Sequence, residues 1–361
     1  LKEKTTSFQL LITLYIGIIT TGMLMMPRQL YRIASLNLWL SIIIGSLFGY
    51  FSIIVITVFL HTFKNKTLTE ITEETLSPYF GRALTFIFII LTFYCEAYFV
   101  RQYTNFISTN FYPETPRYII IGSMVMVCCF AVYHGIEVIC RCALIALPFI
   151  LLFFSLGSSL SFPEMSFVNL LPILDKGLIP PLGGSSVSLA WFSEFILISL
   201  CTPFIRQSKT FLKDGFITVT ITLITLLFFT VSILLFLSAF TGVPLYPYMV
   251  SVRYISIGRF LEHIEALVMA MWIVGAFVKI SFYLFIIVHS SATFLRLSSY
   301  KLNALPISFL LFLFSLWIHP SSQNLFKIGS PLVNTINILV NLCYPLFILG
   351  FVLFKKKNSA Y

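Results

Sequence analysis

The sequence predicts an all-α polytopic membrane protein of ten transmembrane helices, and three observations carry that prediction. Of 361 residues, 58% are hydrophobic and only 10% charged, with a mean hydropathy of +0.98. A soluble domain is nearer about one-quarter charged, because polar surface must cover it. The apolar residues come in runs long enough to cross a bilayer, for which an α-helix needs about 20 residues. Between the runs stand Pro78, Pro113, Pro116, Pro180-Pro181-Leu182-Gly183-Gly184, Pro244, Pro247 and Pro320. With 39 Phe, 17 Tyr and 4 Trp against 23 basic and 13 acidic residues, a water-soluble globule, a disordered chain and a disulfide-rich secreted domain are excluded. No water reaches backbone N–H and C=O groups in hydrocarbon, so helices that satisfy their own are expected.

The spans fall near 8–26, 37–61, 82–110, 117–134, 138–161, 185–204, 215–240, 264–295, 303–319 and 332–354. The first ends without an Ala-x-Ala exit, at Pro27, and leads into the second, so no cleavable signal peptide is expected. Basic residues orient the chain. Fourteen, among them Lys2, Lys4, Lys64, Lys66, Arg82, Lys355, Lys356 and Lys357, fall at the two termini and in the loops on their side. Seven fall opposite: Arg28, Arg32, Arg117, Lys176, Arg253, Arg259 and Lys327. This twofold excess places both termini in the cytoplasm. The segment from Val243 to Glu265 is then external, with an amphipathic helix expected from Arg253 to Glu265 on the outer face. The net charge of +10 does not imply a nucleic-acid partner, since no basic patch with interleaved aromatics lies outside the apolar runs.

Ten spans divide into two halves of five, repeat one over about 8–161 and repeat two over about 185–354, within a single transmembrane domain. Inverted-repeat transporters break the first helix of each half near the midplane, so that free backbone groups line a substrate site. Span 1 carries Gly17-Ile18-Ile19-Thr20-Thr21-Gly22 at its centre, and span 6 carries Ser188-Leu189-Ala190-Trp191-Phe192-Ser193-Glu194 after Gly183-Gly184. The corresponding positions predict that both helices are broken. The alternative is that these small residues serve only close helix packing.

Four ionisable residues sit mid-span: Glu96 and Arg101 in span 3, Glu194 in span 6 and Lys279 in span 8. Each costs about 2.5–3.5 kcal/mol at a helix centre on insertion scales, and such residues mark ion, proton or substrate pathways unless they form a purely structural pair. On span 3, Thr92, Glu96 and Tyr103 share one stripe and Tyr94, Tyr98 and Arg101 another; on span 8, Gly275, Ala276, Lys279 and Tyr283 share a side. Gly275 and Ala276 would let another helix approach Lys279 closely. Seven cysteines without a CxxC pair, and histidines without a partner at i+4, predict no metal site. No phosphate-binding loop, nucleophile elbow or H-E-x-x-H run is present. Neither a cofactor nor catalysis is expected.

A series of runs then carries a resemblance. In order they are Phe80-Gly81-Arg82, Tyr98-x-x-Arg101-Gln102, Pro113-Glu114-Thr115-Pro116, Gly135-Ile136-Glu137-Val138-Ile139-x-Arg141 and Asn169-Leu170-Leu171-Pro172. Trp191-Phe192-Ser193-Glu194-Phe195, Phe260-Leu261-Glu262-His263-Ile264-Glu265 and Trp272-Ile273-Val274-Gly275-Ala276-Phe277-Val278-Lys279-Ile280-Ser281 follow. Together they resemble the spore-germination permease family, the B subunits of GerA-type nutrient germinant receptors, within the amino acid–polyamine–organocation transporter superfamily. Arg101, Glu194, Glu262 and Lys279 match the family's charged positions, whereas Glu96, His263 and the stretch from Ser35 to Trp39 depart from it.

The resemblance implies a LeuT-like fold, the inner membrane of the dormant spore, and two partners: a larger membrane A subunit and a lipid-anchored C subunit. It also implies recognition of a small nutrient, often an L-amino acid. The expected site lies between spans 1 and 6. Backbone N–H groups near Gly22 would hold a carboxylate, and Gly17, Thr20, Thr21, Tyr98, Ala190, Trp191, Phe192 and Ser193 would line the pocket. Glu96, Arg101, Glu194 and Lys279 are candidates for ion or proton coupling. From the residues alone, a proton-coupled amino acid or polyamine transporter is the alternative.

Overall fold

A capping box starts the first helix. The Thr6 hydroxyl accepts from the Gln9 N–H and the Gln9 carboxamide accepts from the Thr6 N–H, opening α1 (Ser7–Ala34). The computed structural model describes residues 4–63, 66–76, 78–206, 210–254 and 264–358. At Ser35 the backbone enters the left-handed region (φ 52°), and the turn Ser35–Asn37 leads into α2 (Leu38–Thr62). There follow α3 (Leu68–Thr75), α4 (Pro78–Asn110), α5 (Arg117–His134), α6 (Ile136–Ser161) and α7 (Ile179–Phe192). Then come α8 (Phe211–Leu237), α9 (Pro247–Tyr254), α10 (Ile264–Phe294) and α11 (Lys301–Trp317). The last rod joins α12 (Ser322–Asn324), α13 (Ser330–Ile338) and α14 (Tyr344–Asn358) through π turns at Leu325–Gly329 and Leu339–Cys343.

Among the described residues, eight helical segments are long and apolar enough to cross a membrane, and Lys301–Trp317 is a shorter apolar helix. The first segment, Ser7–Thr62, has 56 residues. At about 1.5 Å per residue that is more than twice a bilayer core of about 30 Å, so the turn at Ser35 is where the chain reverses. Contacts at the two ends agree. Strand β1 (Thr5–Thr6) pairs in parallel with β2 (Ile205–Arg206), and the Thr202 hydroxyl donates to the Lys66 carbonyl, gathering residues 5, 66 and 205 on one face. On the other face Arg32 donates to the Gly242 carbonyl, Arg253 to that of Asn110 and Arg117 to that of Pro320.

Helix α1 lies at the centre, packed against α6, α7, α8 and α10. Helix α2 also packs on α7 and α8, and α10 reaches α4, α5 and α6. Lipid-facing phenylalanines such as Phe86, Phe130, Phe149 and Phe309 are exposed, as the bilayer requires, while 83% of the most apolar window of α10 is buried.

Two expectations are corrected. Span 1 is not broken: α1 runs unbroken through Gly17–Gly22. The glycines there are packing positions. A Cβ on Gly22 would stand 3.1 Å from Leu226, and one on Gly17 would touch Lys279 at 3.5 Å. The Thr20 and Thr21 hydroxyls donate back to the Ile16 and Gly17 carbonyls at 2.7 and 2.6 Å, one helical turn earlier. Span 6 does change geometry, but by tightening. After Phe192 the α-helix passes into a 3-10 helix over Ser193–Leu200, with the Ser193 hydroxyl donating to the Ala190 carbonyl at 2.8 Å. It also starts earlier than its glycines suggested, because Gly184 lets α7 approach Ser41 of α2, where a Cβ would meet Oγ at 2.4 Å. The outer amphipathic helix expected from Arg253 to Glu265 falls largely on residues 255–263, outside the described residues. The described helix here, α9, starts at Pro247 and buries Tyr248, Met249 and Val252.

Candidate functional site

Three of the four mid-span charges converge where α1, α4, α7 and α10 meet. Lys279 of α10 places its ammonium 2.8 Å from Oε1 of Glu194 and 3.2 Å from the Thr21 hydroxyl. Lys279 is 2% exposed, Glu194 1% and Glu96 0%. Aromatic faces complete the ammonium's surroundings, with Phe99 at 4.2 Å from the ring centroid, Trp191 at 4.4 Å and Tyr283 at 5.7 Å. A desolvated cation over aromatic faces gains about 2 kcal/mol. That contact and the carboxylate together offset the cost of burying the charge.

Local sequence explains each position. Glu194 sits in the first turn of the 3-10 segment, so the pitch change at Ser193 aims it at α10. Lys279 approaches because α10 is small on this side: a Cβ on Gly275 would land 2.3 Å from the Thr20 side chain. The close helix approach expected at Gly275 is therefore present, and its partner is α1. Glu96 enters from α4 and feels both Lys279 and Glu194 electrostatically, yet neither of its carboxyl oxygens has a hydrogen-bond partner among the described residues. Two buried carboxyl groups thus lie within electrostatic reach of one ammonium. With both carboxyl groups ionised the trio carries one net negative charge, which a proton on either carboxyl group would neutralise.

The remaining expected residues separate into groups. Thr20, Thr21, Ala190, Trp191, Phe192 and Ser193 are all buried; Trp191 lies beside Gly22 of α1, whereas Thr20 packs on Gly275 of α10 and Phe192 on Gly49 of α2. The carboxylate cradle expected from N–H groups near Gly22 is corrected, because those groups lie inside a continuous helix. Arg101 does not join the cluster; it donates to the carbonyls of His319 and Pro320, both at 3.3 Å. Tyr98 also faces away, its hydroxyl 2.5 Å from the Ser330 hydroxyl. The second stripe of α4 is organised around His319 instead: Tyr94 bonds its Nε2 at 3.0 Å, and Tyr98 meets its ring edge-on at 6.1 Å. Burial, reinforced by the nearby Arg101 charge, holds the His319 imidazole below the ordinary histidine pKa. Phe99 escaped the reading of the sequence. Its signal was its place at i+3 from Glu96, on a helix whose phenylalanines otherwise read as lipid-facing.

Comparison with known proteins places this geometry. A family model described as "Spore germination protein" matches residues 4–324. Spore germination protein KB of Bacillus subtilis is 24% identical over 363 residues, covering 99% of this chain and 96% of that one. Spore germination protein GerQB of Bacillus cereus is 24% identical over 283 residues, covering 76% and 75%. Among solved structures, the nucleobase-cation-symport-1 family transporter Mhp1 superposes with a TM-score of 0.63 at 10% identity, covering 94% of this chain and 75% of that one. A Na+-coupled sialic acid symporter gives 0.60 at 14% identity, covering 94% and 79%. At such identities the likeness shows the fold, that of LeuT-like transporters, and with the apolar spans it makes the chain an integral membrane protein. The fold, the full-length relatives and the family match lead to one conclusion: the chain belongs to the spore germination protein family of permeases.

Proposed function

We propose that the chain is the nutrient-sensing B subunit of a spore germinant receptor, and that a small nutrient such as an L-amino acid acts between spans 1 and 6. The observation that carries this reading is the closed Lys279–Glu194 pair linking α10 to the 3-10 segment that continues α7. An amino acid's carboxylate can replace Glu194 on the Lys279 ammonium, and its ammonium can replace Lys279 on Glu194 and the aromatic faces. The zwitterion thus substitutes for both halves of a latch. A ligand shifts a conformational equilibrium only through differential affinity, and competition for this pair supplies it: the closed state keeps the pair, the liganded state exchanges it.

In this reading the two five-helix repeats, about 8–161 and 185–354, move relative to one another when the latch opens. Membrane A and lipoprotein C subunits sense the change. The chain resides in the inner spore membrane with both termini cytoplasmic. The gathering of residues 5, 66 and 205 on one face supports that arrangement, as does the excess of basic residues there. A proton-coupled amino acid or polyamine transporter is the second reading. Glu96, a buried carboxyl group without a hydrogen-bond partner among the described residues, favours it.

Spores lacking their own B subunit and carrying this chain with its cognate A and C subunits test the proposal. Exposed to L-amino acids, they should germinate with the wild-type chain, and fail to do so with Lys279→Met despite equal membrane levels. Variant spores that respond normally would remove the pair from the mechanism.

A further inference from the structure

A cavity lies outside the central cluster. Between α1, α7 and the rod leading into α13, on the face opposite the β1–β2 pairing, a cavity of about 360 Å³ opens. Arg28, Arg32 and Lys327 line it, with Gln29, Ser330 and Asn334 between them, and no Asp or Glu stands among its described lining residues. Arg28 and Arg32 are one turn apart on α1 and repel each other. A cation at a membrane rim ordinarily snorkels into water. Arg28 is instead half-buried, its guanidinium 5.8 Å from the Phe326 ring centroid, and its solvent-excluded Nε has no hydrogen-bond partner among the described residues. Lys327 stands in the π turn Leu325–Gly329, a rare geometry that recurs at functional sites.

Three like charges in a cleft with apolar walls focus a positive potential, and an anion relieves their repulsion. The volume falls in the range of small-molecule sites, about 300–1,000 Å³, and exceeds what a lone inorganic ion needs. Met25, Val187 and Leu245 supply apolar wall for a carbon skeleton. We propose that this vestibule is a binding site for a small organic carboxylate, separate from the Lys279–Glu194 cluster. The anionic group meets Arg28, Arg32 and Lys327. Occupancy is sensed nearby, because the lining residue Ser330 bonds Tyr98, whose neighbour Phe99 lies against the Lys279 ammonium. The inference stands whether the chain senses germinants or transports solutes.

The test is the rate of phenylglyoxal modification of Arg28 and Arg32, read by peptide mass spectrometry on the full chain in phosphatidylcholine nanodiscs. Exposed Arg141 is the internal control. Succinate or acetate at matched ionic strength should slow modification of Arg28 and Arg32 several-fold and saturably, leaving Arg141 unchanged, while succinamide and acetamide have no effect. Lys327→Gln, at an exposed position, should raise the half-protecting concentration at least fivefold. Equal rates with carboxylates and amides would overturn the proposal. So would protection by inorganic phosphate alone, or protection only in nanodiscs containing phosphatidylglycerol, which would assign the site to phosphate or to a lipid headgroup.

Discussion

At the scale of single residues, the central pair makes a prediction that separates stability from function. Removing one partner of a buried ion pair leaves an uncompensated charge and costs about 3–5 kcal/mol, whereas replacing both with apolar groups is often neutral. Lys279→Met, which leaves Glu194 and Glu96 without their ammonium, should therefore lower the thermal midpoint of the purified chain markedly. The double variant Lys279→Met/Glu194→Leu should recover most of that loss yet give no germination response. A double variant that responds to nutrient would show the pair to be structural only. Thr21→Val and Ser193→Ala, which trim the pair's surroundings, should change the half-maximal germinant concentration more than the maximal response. If neither concentration moves, the α1–α7 contact is not the binding region. Glu96, Glu194 and Lys279 were legible in the sequence because a charge in an apolar run is conspicuous. Phe99 was not, since in a chain with 39 phenylalanines one that faces an ammonium looks like its lipid-facing neighbours.

At the scale of elements, close helix approach and helix pitch decide the arrangement. A Cβ on Gly275 would stand 2.3 Å from the Thr20 side chain, so Gly275→Ala should cost about 1–3 kcal/mol through overpacking. Thr20→Ala should restore part of it, and a double-mutant cycle on thermal midpoints measures the coupling. Additive losses would show that α1 and α10 do not meet there. The α4–His319 junction makes a pH prediction. Folding lowers the His319 pKa, so the folded protein binds fewer protons than the unfolded chain as pH falls through the ordinary histidine range. Stability should decline from about pH 6.5 downward, and His319→Gln should flatten that decline. An unchanged slope in the variant would locate the acid sensitivity elsewhere. The two stripes of α4 were readable from helical spacing alone: Glu96 faces the centre, while Tyr94, Tyr98 and Arg101 meet His319 or its carbonyl. The continuity of α1 was not readable. A Gly-x-x-x-x-Gly segment reads equally as a break or as a packing surface, and only the neighbouring Leu226 and Lys279 decide between them.

At the scale of the whole molecule, composition and hydropathy located the membrane helices, because hydrocarbon leaves the backbone so few alternatives. The placement of Arg101 against loop carbonyls, and of three cations around one vestibule, depends on contacts between residues over 200 positions apart in the chain. No local pattern encodes those. The same fold serves transporters that move solutes, so the central claim concerns what the Lys279–Glu194 latch does when a nutrient displaces it. Labelled L-amino acids, offered at several imposed pH gradients to liposomes containing the purified chain, test it most directly. Saturable binding that Lys279→Met abolishes, with no accumulation that follows the gradient, is the expected result. Saturable, gradient-driven accumulation that disappears with Lys279→Met would contradict it and make the chain a transporter.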